Sequence, residues 1–116
     1  MDNNYIYILF LVALASFYLW KSLKFKKIKN QIPEYIKNGA LIIDVRSPLE
    51  FEKGSAKGSI NIPLNELNAK STSLDKDRVI LLCCASGARS GMAKSILIQK
   101  GFTNVINIGP WTNSKI

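Results

Sequence analysis

The sequence predicts an α/β domain, a parallel sheet flanked by short helices on both faces, preceded by one transmembrane helix. Three observations lead there. Short apolar runs of strand length, at 40–45, 60–62, 79–83 and 105–108, alternate with stretches of helical spacing, the pattern of a sheet covered on both faces. A longer apolar run, Tyr5 to Trp20, stands apart from them. The strand Val79–Cys83 leads straight into Cys84-Ala85-Ser86-Gly87-Ala88-Arg89-Ser90, a loop of small residues that opens a helix.

A chain of 116 residues allows one modest domain. It divides into a tail at 1–4, a transmembrane helix at 5–20, a basic juxtamembrane linker at 21–30 and the α/β domain at 31–116. The formal charge of +8 is concentrated in Lys21, Lys24, Lys26, Lys27 and Lys29. The remainder lacks a basic face interleaved with aromatics, which argues against nucleic-acid binding. With no histidine and two adjacent cysteines, no metal-ligand spacing exists. Neighbouring cysteines also strain a disulfide, so free thiols in a reducing compartment are expected.

Taken in order, Tyr5–Trp20 would form a helix about 24 Å long, slightly short of a hydrocarbon core of roughly 30 Å. Lys21 and Lys24 can snorkel, and Tyr5, Tyr18 and Trp20 suit the interface. Met1-Asp2-Asn3-Asn4 carries no positive charge, unlike a secretory leader, and the lysines follow the apolar run. This distribution predicts an uncleaved, single-pass anchor with the domain in the cytoplasm. Ala13-Leu14-Ala15 keeps open a cleaved leader and export. The linker would lie against anionic headgroups or act only as a topology signal.

Gln31–Asn38 is expected as a short helix, with Pro33 in its first turn, Ile32 and Ile36 on one face and Gly39 as its stop. Ala40–Val45 is a buried strand. Ser47-Pro48-Leu49-Glu50 is a capping box with proline at the first helical position. A loop with two glycines, Lys53–Ser59, precedes a short strand, Ile60–Ile62, closed by Pro63. Leu64–Leu67 is a small helix and Lys70–Arg78 a polar, turn-rich stretch. Val79–Cys83 is the central strand, Ser90–Lys100 the strongest helix and Val105–Ile108 the last strand.

Sites in such sheets form beyond the carboxyl ends of strands, where the cysteine loop lies. Backbone N–H groups and the positive end of a helix converge there and drive a thiol toward thiolate. Gly87 permits a backbone angle that other residues resist, and Arg89 adds a fixed charge with a fork of donors. Counting from Cys83 gives a longer loop, Cys83-x-x-x-x-x-Arg89-Ser90. Alternation along a strand allows only one of the two cysteines to point the productive way. Arg46, with Glu50 four residues on, suggests an ion pair holding the first loop. Asp44 could orient a loop N–H or a substrate, and Ser90 could cap the helix or bond the sulfur.

Cys84-x-x-Gly87-x-Arg89-Ser90 after an apolar strand resembles the active loop of the rhodanese family. So does Leu41-Ile42-Ile43-Asp44-Val45-Arg46-Ser47-Pro48-Leu49-Glu50-Phe51, followed by Gly58 and Asn61-Ile62-Pro63. Gly101-Phe102, Val105, Gly109 and Trp111 fit the family's end, so the match runs from about Pro33 to Trp111. The resemblance implies a sulfurtransferase with no cofactor and no metal. Cys84 would take a sulfane sulfur from thiosulfate, a polysulfide or a persulfide and pass it to a thiol or cyanide. Ala85, Ser86, Gly87, Ala88 and Arg89 would bind substrate, with Asp44, Arg46 and Ser90 in support. Cys83 falls where rhodaneses often carry an aromatic and is read as packing. Two other functions stand beside this one: phosphatase or arsenate-reductase-like chemistry through Cys83, and a non-catalytic, membrane-tethered binding module. The chain departs from the family in carrying Ser55-Ala56 in place of His-Ile. It also lacks a helical turn before Trp111, which leaves that side of the site more open.

Overall fold

The computed structural model describes residues 3–114, so Met1 and Asp2 of the expected tail lie outside the described residues. Helix α1 spans Asn4–Lys37, followed by β1 (Leu41–Asp44), α2 (Pro48–Lys53), β2 (Ile60–Asn61) and α3 (Leu64–Lys70). A 3-10 turn at Ser71–Ser73 leads to β3 (Ile80–Cys84), α4 (Ala88–Gln99), β4 (Val105–Pro110) and a final 3-10 turn at Trp111–Ser114. The four strands form one sheet in the order β2-β1-β3-β4, and every pairing is parallel. The parallel sheet with flanking helices is the expected architecture.

Alternation along β1 and β3 divides the core into two layers. Ile43, Val45, Ile80, Leu82 and Cys84 face α3 and α4, where Leu67, Ala93, Leu97 and Phe102 cover them. Ile42, Leu81, Cys83 and Ile108 face the other way and are covered by Ile32, with Ile28, Tyr35, Ile36 and Trp111 packed around. Each such aliphatic side chain contributes about 1.5–3 kcal/mol on burial, so both layers are needed in a domain this small.

The second layer corrects the reading of residues 21–38. No break separates a linker from a short helix; α1 is continuous, and Pro33 lies inside it rather than at a first turn. Proline disfavours helical geometry in the residue before it and removes one helical hydrogen bond. Ile32, 1% exposed, is held in the helix by its burial against the sheet. Phe25, Ile28, Ile32, Tyr35 and Ile36 recur at helical spacing among the lysines, so the basic stretch carries an apolar face.

The first part of α1 has no such cover. Residues 3–20 are exposed throughout, and an 18-residue window has a mean hydropathy of 1.8. The helix is long and apolar enough to cross a membrane.

The capping box forms as expected: Glu50 N donates to Ser47 Oγ at 3.3 Å, and Ser47 N donates to Glu50 Oε1 at 3.3 Å. Strand β4 runs two residues past its expected end. Its register against β3 shifts between Leu82, paired with Asn107, and Cys83, paired with Gly109. Gly109 has φ +79°, and a Cβ there would meet the Phe25 ring at 3.0 Å.

Gly109→Ala therefore adds backbone strain of about 1–3 kcal/mol and pushes Phe25 off its seat. Chemical denaturation of the detergent-solubilised chain should show this loss. Phe25→Ala combined with Gly109→Ala should cost less than the sum of the two single changes. Strict additivity would mean that the ring and the glycine do not bear on one another.

Candidate active site

Strand β3 ends at Cys84, and α4 begins at Ala88 with Gly87 as its N-cap in the left-handed region, φ +103°. This tight reversal folds the loop back over the sulfur. Gly87 N donates to Cys84 Sγ at 2.9 Å, and Ser90 Oγ lies 3.4 Å from the same sulfur. Burial works against ionisation of Cys84. Hydrogen bonds from the Ser90 hydroxyl, whose one hydrogen can turn from Asn107 Oδ1 to the thiolate, and from the Ser90, Gly87 and Ser86 backbone outweigh it and hold the thiol below its ordinary range. Donors aimed at a buried sulfur stabilise its anion, and the start of α4 adds the positive end of a helix dipole. Ala85, Ser86 and Ala88 are exposed around a sulfur that is itself covered.

Cys83 faces the opposite layer, packed with Ile32, Ile42, Leu81 and Ile108. Burial, and next the Asp44 carboxylate, push its thiol well above the ordinary range. The two neighbours thus have opposite chemistry, and both are free thiols. The longer loop counted from Cys83 would start from a side chain that points away from it.

The charged residues pair differently from expectation. Arg46 does not meet Glu50. Its guanidinium grips Asp44, with Nε 2.9 Å from Oδ1 and NH2 2.7 Å from Oδ2, and it also donates to Gly54 O at 2.7 Å. Asp44 is fully buried and accepts the Arg46 backbone N–H at 3.0 Å, so it orients a loop N–H, one of its two expected roles. The Arg46 guanidinium also lies 4.8 Å from the Trp111 ring centre, where a cation gains from the ring's negative face.

Glu50 instead pairs with Arg89, reached across the fold, at 2.7 Å and 2.9 Å through both terminal nitrogens. Arg89 holds the Glu50 carboxyl down to about 2. Arg89, expected to bind an anion or to pair a carboxylate, makes a bidentate tie between the cysteine loop and α2. Physically, a carboxylate of matching geometry captures the guanidinium first.

Asn107 is the site residue that the sequence reading missed. Its Oδ1 accepts from Ser90 Oγ at 2.7 Å and from Gly109 N at 3.0 Å, and its Nδ2 donates to Gly87 O at 3.1 Å. A polar residue between Ile106 and Ile108 in an otherwise apolar strand was the available signal.

A parallel α/β sheet that presents one activated cysteine at a strand end, inside a turn of backbone donors, defines a class of proteins with thiol-based group transfer sites. The Rhodanese-like domain model matches residues 26–109, and the chain belongs to that family. It is 39% identical over 69 residues to protein YqhL of Bacillus subtilis, covering 60% of this chain and 55% of that one. Thiosulfate sulfurtransferase PspE of Escherichia coli is also 39% identical over 69 residues, with 58% of this chain and 66% of PspE covered. The chain thus spans roughly half to two thirds of these curated relatives. Among solved structures, a rhodanese from E. coli described with anions superposes with a TM-score of 0.60 at 35% identity, covering 65% of this chain and 91% of that one.

Iodoacetamide labelling of the folded chain across pH should give one adduct, on Cys84, with a midpoint below that of an ordinary thiol. Ser90→Ala should move that midpoint upward, and Ser90→Thr should bring part of it back. Native-state labelling of Cys83, or an unmoved midpoint in Ser90→Ala, would contradict the assignment.

Proposed function

We propose that this chain is a membrane-anchored sulfurtransferase working through a Cys84 persulfide. The observation that carries the reading is the contrast between the cysteines: Cys84 is held by Gly87 N and Ser90 below the ordinary thiol range, and Cys83 is buried on the far face, where burial pushes its thiol up. The Cys84 thiolate attacks the outer sulfur of a donor such as thiosulfate, a polysulfide or a persulfide. The donor's S–S bond breaks, its electron pair leaves with the donor remnant, and the sulfur stays on Cys84 as a persulfide, ionised as Cys84–S–S⁻ when the donor is thiosulfate. Backbone N–H groups from Ala85 to Arg89 would stabilise the terminal sulfur anion, in the manner of an oxyanion hole. A thiol or cyanide then removes the sulfur in a second half-reaction. PspE, named a thiosulfate sulfurtransferase, supports the chemistry.

The anchor is part of the proposal. Tyr5–Trp20 is exposed throughout among the described residues, and such an apolar surface in water calls for another apolar phase. Lys21, Lys24, Lys26, Lys27 and Lys29 follow directly and favour a cytoplasmic domain. Because α1 is continuous into the domain, the cysteine loop would sit at a fixed height above the bilayer rather than on a flexible tether.

Intact mass spectrometry after thiosulfate or polysulfide treatment should show a gain of one sulfur that maps to Cys84. Cys84→Ser should abolish that gain and turnover, and Cys83→Ser should retain most of both. Loss of activity in Cys83→Ser alone would reverse the assignment, and absence of any sulfur gain would leave a binding module as the better reading.

Topology is checked separately. A membrane-impermeant thiol reagent added to intact cells should leave both cysteines unlabelled, whereas labelling before lysis would place the domain across the membrane.

A further inference from the structure

The Ser86 side of the cysteine loop opens onto a groove of about 640 Å³ between α1 and the end of β4. Lys21, Phe25, Lys26 and Lys29 form its helical wall, and Ser86 and Pro110 are among the residues facing them. These α1 positions fall on one stripe of the helix. Phe25 also lies against Gly87 and Gly109, so the groove floor is continuous with the cysteine loop. No aspartate or glutamate lines the groove. Among the described residues, none of the three lysines is in an ion pair. The result is a cationic cleft with an apolar floor, one loop residue away from the nucleophile.

Its size decides what it suits. Pockets for organic ligands run to about 300–1,000 Å³, far more than thiosulfate fills. We propose that this groove seats the anionic body of a low-molecular-weight persulfide donor, with the lysines on its carboxylates and its sulfane sulfur directed past Ser86 into the cysteine loop. The proposal rests on the sulfurtransferase reading and adds a site that selects one of its donors by charge. The Cys84 thiolate attacks the outer sulfur of R–S–SH. The new S–S bond forms on Cys84 as the old one breaks, and the electron pair and negative charge leave on R–S⁻. The carrier thiolate departs along the same lysines. No oxidant or reductant is consumed.

The probes are glutathione persulfide, which carries two carboxylates, and mercaptoethanol persulfide, which carries none. Both are assayed with the full chain in neutral detergent. The native chain should prefer the glutathione donor. Lys26→Glu combined with Lys29→Glu should lower the ratio of kcat/KM for the two donors by about tenfold or more, through KM. The milder Lys29→Gln should lower it part of the way. Turnover of the neutral donor reports whether each variant is folded. An absence of preference in the native chain, or a ratio unmoved in every folded variant, overturns the proposal. A ratio unmoved while binding to phosphatidylglycerol vesicles is lost also overturns it and assigns the lysines to lipid. Failure of thiosulfate and both persulfides to load Cys84 would instead remove the sulfurtransferase reading itself.

Discussion

The Asn107 carboxamide accepts from Ser90 and Gly109 and donates to Gly87. These three contacts tie together the start of α4, the shifted register of β4 and the turn of the cysteine loop. Ser90 Oγ is thereby held beside the sulfur, and the Gly87 carbonyl is fixed while its N–H points at Cys84. The same anchorage sets Gly109 in the left-handed conformation that leaves room for Phe25. One amide therefore links the electrostatics of the thiol to the docking of the N-terminal helix. Networks of this kind rigidify a site because every polar group in them is satisfied, and no buried side-chain nitrogen or oxygen among the described residues lacks a partner.

The placement of α1 has a second consequence. In a domain this small, the layer holding Cys83 would lie open without Ile28, Ile32, Tyr35 and Ile36. One helix thus supplies both a long uncovered apolar segment and half of the sheet's cover. Its lysines sit between those two parts, beside the groove that borders Ser86. The sheet-covering face, the proposed anchor and the lysines of the proposed donor site are three stretches of one continuous helix.

The charged side chains near the site pair with one another. Asp44 with Arg46 stiffens the loop after β1, and Glu50 with Arg89 ties α2 to the cysteine loop. The lowered Cys84 thiol draws first on neutral donors at short range, and the Arg89 charge interacts with it as well. Short donors held by the backbone stabilise an anion without the mobility of a long charged side chain.

Local order along the chain was enough to establish the α/β class, the capping box at Ser47 and the opposite faces of Cys83 and Cys84. Those features depend on spacing within a few residues: period two in a strand, four residues in a cap, a glycine where a turn must reverse. The family resemblance was legible for the same reason, since each of its three blocks is a contiguous segment. The partner of Arg89, the role of Asn107 and the unbroken course of α1 through Pro33 came only from the tertiary structure. Arg89 and Glu50 stand 39 positions apart and Ser90 and Asn107 stand 17 apart, so no local pattern pairs them. Pro33 taken alone signals a helix start. The burial of Ile32 against the sheet overrides that signal, and that burial exists only once the chain has folded.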